Sequence, residues 1–86
     1  MKTVKSLIVA SIVIALSSCA TEFKIIGDDV PVAVSSAFKT KYPSVSNPEW
    51  EVEKEDGRLI YEAEFKLDGK RKEAEFKPDG TFIKEE

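Results

Sequence analysis

An α+β domain is predicted, with one N-terminal helix packed on a four-stranded antiparallel β-meander and a separate leading segment in front. Three observations carry this. Apolar residues recur at three- and four-residue spacing over one segment, 31–41, the period of a single helix face. From Glu49 onward apolar and charged residues alternate, the period of a strand with one side buried. Asp-Gly separates the alternating runs at 56–57, 68–69 and 79–80, and both residues of that pair tolerate the positive φ that tight hairpins require.

The N-terminus is a secretion segment. Lys2 and Lys5 precede an apolar run from Leu7 to Leu16, and Ser17-Ser18-Cys19 follows. That is a basic region, a hydrophobic region and a small-residue cleavage site, so residues 1–18 are expected to be removed. A transmembrane helix takes about 20 apolar residues, and this run stops short of that. A core helix fits poorly at a terminus with lysines in front. Small residues before Cys19 resemble the lipobox of bacterial lipoproteins, in which the thiol receives a lipid. Cys19 is the only cysteine, so no intrachain disulfide competes for it.

Residues 19–29 read as the lipidated cysteine and a tether, with packing of Phe23, Ile25 and Ile26 on the domain or at the membrane surface as the alternative. The domain proper is expected over 30–86. Asp28 or Asp29 can cap the helix, Pro31 suits its first turn and Pro43 marks its stop. Val30, Val34, Ala37, Phe38 and Lys41/Tyr42 form its apolar stripe, and Lys39 and Lys41 lie where cations complement the helix dipole.

In the meander, Trp50, Val52, Leu59, Tyr61, Ala63, Phe65, Leu67, Ala74, Phe76 and Phe82 fall on one face. A two-residue turn at Asp56-Gly57 pairs Val52 with Tyr61 and Trp50 with Ala63. Pro78-Asp79-Gly80 suits a type I turn ending in a left-handed glycine, which sets Phe76 opposite Phe82. The middle hairpin has two solutions. A two-residue Asp68-Gly69 turn faces Glu64 with Glu73 and Glu62 with Glu75; a four-residue loop over 68–71 faces Lys66 with Glu73 and Glu62 with Lys77. The aromatic residues on the apolar face are expected to form the core rather than a ligand platform, with the Tyr42 hydroxyl at the surface.

Composition narrows the function. The chain has 13 basic residues, 16 acidic residues and no histidine. Cleavage before Cys19 removes 18 residues, among them Lys2 and Lys5, and so leaves 68 residues with 11 basic and 16 acidic side chains, a net charge of −5. Nucleic acid is not expected as a partner, because it demands a basic stripe. Without histidine the commonest general base and metal ligand is missing, and no nucleophile elbow or phosphate-cradling glycine run is present. The Asp-Gly aspartates are explained as turns rather than calcium ligands. No catalytic residue, cofactor or metal site is therefore expected, and the protein is read as a monomeric non-enzyme.

The polar sheet face is the surface of interest. By alternation it carries Glu49, Glu51, Glu53, Glu55, Glu62, Glu64, Glu73, Glu75 and Glu85 against Arg58, Lys66, Arg71 and Lys77, with Ile60 and Ile83 as its apolar residues. One reading is a solvated face that keeps a small domain soluble. The other is an acidic docking surface for a basic partner, with Ile60, Glu62, Glu64, Glu73, Glu75 and Ile83 making the contacts.

The helix Val30-Pro31-x-x-Val34-x-x-Ala37-Phe38-x-x-x-Tyr42-Pro43 leads into Glu49-Trp50-Glu51-Val52. Tyr61-Glu62-Ala63-Glu64-Phe65, Asp68-Gly69, Glu75-Phe76 and Asp79-Gly80 follow. Over roughly residues 30–85 this pattern resembles the PepSY-like, beta-lactamase-inhibitor-like domains of small secreted or lipid-anchored Gram-negative proteins. The resemblance implies protein binding, with restraint of a peptidase or other cell-envelope enzyme as the activity, and it brings no catalytic residues. Relatives often carry tandem copies and this chain has one, which counts against a function needing paired sheets. By analogy with Gram-negative lipoproteins, Ala20 in place of aspartate favours the outer membrane over the inner.

Overall fold

The computed structural model describes residues 21–86. The signal peptide over 1–18 and Cys19 lie outside the described residues. The elements run β1 (Thr21–Ile25), a short 3-10 turn (Gly27–Asp29), helix α1 (Val32–Lys41), β2 (Glu49–Glu55), β3 (Arg58–Leu67), β4 (Lys70–Phe76) and β5 (Phe82–Glu85). The strands form one antiparallel sheet in the order β1-β2-β3-β4-β5. The α+β class and the single helix are as expected.

The strand count is corrected from four to five. Residues 21–25, expected as tether, pair with β2, setting Phe23 against Val52 and Ile25 against Trp50. No tight turn announces this strand, because the chain returns from it to the sheet through the 3-10 turn and α1. Phe23 lies at the outer edge and is 59% exposed. The capping expectation is corrected too. Asp28 and Asp29 belong to the 3-10 turn, and Pro31 occupies the N-cap position without a side-chain cap. Its carbonyl accepts from the Val34 and Ser35 amides.

Both two-residue turns take the same form. Asp56 and Gly57 have φ of 52° and 76°, and Asp68 and Gly69 have 53° and 78°, the backbone that a type I′ hairpin needs. The middle register is thereby the one that sets like charges opposite each other, Glu62 against Glu75 and Glu64 against Glu73. Cross-strand charge pairs are worth only about 0.2–1 kcal/mol each, and turn geometry overrides them. The first hairpin pairs as expected, Val52 with Tyr61 and Trp50 with Ala63.

The core lies between α1 and the sheet. Val30, Val34, Phe38 and Tyr42 follow one another at four-residue spacing and are all buried against Trp50, Ala63, Phe65, Ala74 and Phe76. Phe38 is the hub, with ring centroids 5.1 Å from Tyr42, 5.5 Å from Trp50, 5.1 Å from Phe65 and 6.3 Å from Phe76. Burying a ring of this size stabilises by roughly 1.5–3 kcal/mol. The expected aromatic core is present, with two departures at its rim: Leu59 and Phe82 remain 41% and 38% exposed. Tyr42 is itself buried, and its hydroxyl donates to Glu85 Oε1 at 2.5 Å rather than facing solvent freely.

That contact depends on a bulge between Glu75 and Phe76, which keeps Phe82 opposite Phe76 but pairs Lys84 with Glu75 and Glu85 with Ala74. Strict alternation from Phe82 places Ile83 and Glu85 outward; the bulge reverses the strand's end. Glu85 therefore faces the helix side, and Lys84 faces outward. The turn before β5 is packed against α1. Gly80 has φ of +91°, and a Cβ there would sit 2.6 Å from the Ala33 carbonyl oxygen, whereas one at Gly57 would meet nothing within 4 Å.

Gly57→Ala should cost about 1 kcal/mol from its left-handed backbone alone. Gly80→Ala adds a backbone collision and should cost about 3 kcal/mol. Urea denaturation of the two variants measures the difference, and equal losses would contradict close packing of the β4–β5 turn on α1.

Candidate functional site

The outer sheet face is built by alternation on every strand. Residues opposite the core positions point away from α1, and the registers bring Glu51 beside Glu62 and Glu62 beside Glu75. β1 adds Glu22, paired with Glu53, and β5 adds Lys84. The result is a concavity of about 560 Å³ whose lining includes Glu22, Glu51, Glu62, Glu64, Glu73 and Glu75.

Glu62 is its centre. The residue is 7% exposed, the one buried charged side chain among the described residues. Its carboxyl is pushed up from 4.5 to about 8, first by loss of solvent and then by the charges of Glu73, Glu22, Glu51 and Glu75. Burial likewise raises Glu51, Glu53 and Glu75, with neighbouring carboxylates adding to the effect. Cations offset this only at the margins. Arg71 donates to Glu64 at 2.7 Å, and Lys84 reaches Glu86 at 3.0 Å. Glu64, expected simply as an outward acid, is thus already paired.

Of the residues singled out for docking, Ile60, Glu62, Glu64, Glu73 and Glu75 line this one concavity. Ile83 does not. It lines a separate hollow of about 470 Å³ with Arg58, Leu59, Ile60, Lys77 and Pro78, so Ile60 stands between an acidic basin and a smaller apolar one. Ile60 and Ile83 share a wall of that second hollow. Several members of the face escape the sequence pattern, Glu22 and Lys24 because their strand resembles a tether, Lys84 because a bulge turns it outward, and Glu86 beyond it. The alternation Thr21-Glu22-Phe23-Lys24-Ile25 is the available signal for the first.

Comparisons with protein families, curated proteins and solved structures return no match. The PepSY-like resemblance therefore rests on the residues quoted for it. Among the described residues no helix is long and apolar enough to cross a membrane.

The raised carboxyls make stability depend on pH in a definite direction. Between 4.5 and about 8 the folded protein holds a proton on Glu62 that the unfolded chain has released, so stability falls as pH rises through this window and levels off above it. The groups facing Glu62 are Glu22 and Lys24 on β1, Glu51 and Glu53 on β2, Glu64 on β3, Glu73 and Glu75 on β4, and Lys84 on β5. Glu51, Glu53 and Glu75 shift the same way. For one proton the slope is at most ~1.4 kcal/mol per pH unit. Thermal melts should show the melting temperature dropping from pH 5 to pH 8, and Glu62→Gln should raise it at pH 8 and flatten the profile. A Glu62→Gln protein less stable than its parent at pH 8 would contradict a repulsive environment around this carboxyl.

Proposed function

We propose that this chain is a lipid-anchored binding module of the bacterial cell envelope that docks another envelope protein through its acidic sheet face. In this reading residues 1–18 direct export, Cys19 carries the lipid, and the domain is held within reach of partners in the same layer, with the outer membrane favoured. The observation that carries the docking role is the glutamate-lined concavity around the buried Glu62. Concentrated negative charge in a hollow raises the encounter rate with a basic partner and selects against acidic ones. Ile60 at its border offers apolar contact beside the carboxylates.

The module acts without catalysis of its own. The basin is lined by carboxylates with Ile60 and Lys84, and no histidine, serine or thiol stands among them. The PepSY-like resemblance points to restraint or modulation of an envelope protein, a peptidase among the candidates. β1 begins at Thr21, so the sheet edge starts close behind Cys19, nearer the anchor than a tether through residue 29 would place it.

Charge reversal of Glu62, Glu64, Glu73 and Glu75 should abolish affinity capture of a partner from envelope extract at moderate salt. Capture that survives the reversal would overturn docking by this face, and a parent protein that captures nothing would favour a structural or stress-related lipoprotein with no specific partner. Cys19→Ala should abolish incorporation of radioactive palmitate into the full chain; persistent labelling would exclude this thiol as the anchor.

A further inference from the structure

β1 leaves one edge of the sheet open. Its residues pair with β2 in unbroken register, and among the described residues no strand lies on their other side. An open edge presents a row of unpaired N–H and C=O groups, which proteins blunt with prolines, bulges or very short strands. The β5 edge is blunted in this way: it has four residues, it follows Pro78, and a bulge interrupts its pairing with β4. β1 has neither proline nor bulge. It carries Glu22 and Lys24 on either side of Phe23.

We propose that a second copy of this chain pairs antiparallel along β1, with Phe23 facing the partner's Phe23, so that the two sheets become one. A two-fold axis normal to the sheet keeps both helices on one side, and each residue then meets one of the same face. Centred on Glu22 or on Lys24, this pairing would set like charges opposite each other. Centred on Thr21 or Ile25, the strands would scarcely overlap. Centred on Phe23, it sets Glu22 opposite the partner's Lys24, Lys24 opposite the partner's Glu22, and Thr21 opposite the partner's Ile25. Opposite charges across strands attract and like charges destabilise. No turn fixes the register at this edge, so side-chain complementarity decides it, and the strand is complementary to itself in one register.

The helix side supplies a second argument. The registers form one row across the sheet, Phe23, Val52, Tyr61, Phe76 and Phe82. Phe76 is fully buried, whereas Phe23 ends the row 59% exposed. The partner's Phe23 continues the row and covers that ring, an aromatic pair of the kind that stabilises adjacent strands. On the outer side Lys24 lies across from Glu51 and forms no ion pair with a described residue. Pairing brings it the partner's Glu22. Glu22 lines the acidic basin, so the partner's Lys24 places a cation at the β1 wall of that basin. This pairing replaces the monomer expected from the sequence.

The test uses the full chain in detergent with a reductant, followed by sedimentation velocity in density-matched solvent. The parent should sediment as a dimer. Glu22→Lys and Lys24→Glu each place like charges opposite each other at two positions, and each should weaken dimerisation by about tenfold or more. Mixed in equal amounts they should recover the dimer, because one strand is then doubly basic and the other doubly acidic. Lys39→Glu, the same charge change on exposed helix surface, should leave dimerisation as it is in the parent. Phe23→Ser keeps both edge charges and should also give a monomer. Thermal melts of each variant establish that the domain remains folded. Four outcomes overturn the pairing: a parent that stays monomeric, weakening by Lys39→Glu equal to that by Lys24→Glu, folded charge variants that do not recover a dimer on mixing, or a dimer unaffected by Phe23→Ser.

Discussion

The two-residue turns at Asp56-Gly57 and Asp68-Gly69 constrain everything else in this domain. With both residues of each turn at positive φ, the hairpins have one register each, and that register decides which side chains meet. On the inner face it sets Trp50 beside Ala63 and Ala63 beside Ala74, all buried in one core with Phe38. On the outer face it puts Glu51, Glu62 and Glu75 side by side across three strands. The core and the acidic basin are two consequences of the same backbone choice.

The outer arrangement opposes the inner one energetically. A four-residue middle loop would have set Lys66 against Glu73 and relieved the repulsion, yet the turn keeps the glutamates together. A small domain has little stability to spare, and it accommodates the cluster by withholding charge from Glu62, whose carboxyl stays mostly protonated below a pH of about 8. A basic partner would supply the countercharge that Arg71 and Lys84 give only at the margins of the cluster.

Most of the architecture is legible because its signals are local. Helix spacing from Val30 to Tyr42, alternation from Glu49 to Phe76 and the glycine turns each lie within a few residues. The departures arise where distant contacts decide. β1 becomes a strand only by pairing with β2 across an intervening helix, so Thr21–Ile25 has no turn signal of its own. The bulge at Glu75 and Phe76, together with the Tyr42–Glu85 hydrogen bond, flips the end of β5. Alternation alone places Ile60, Glu62, Glu64, Glu73 and Glu75 on one face. It does not reveal the burial of Glu62, which depends on neighbours from both flanking strands, and the bulge takes Ile83 out of the acidic basin.

The proposed docking surface depends on the burial of Glu62 among carboxylates. Titrating its side-chain carboxyl carbon by NMR in metal-free buffer tests that burial directly. A midpoint near 8, with the Glu49 carbon titrating well below it, is the expected result. A midpoint for Glu62 near the ordinary glutamate value of 4.5 would reveal a solvated acid on an open face and contradict it.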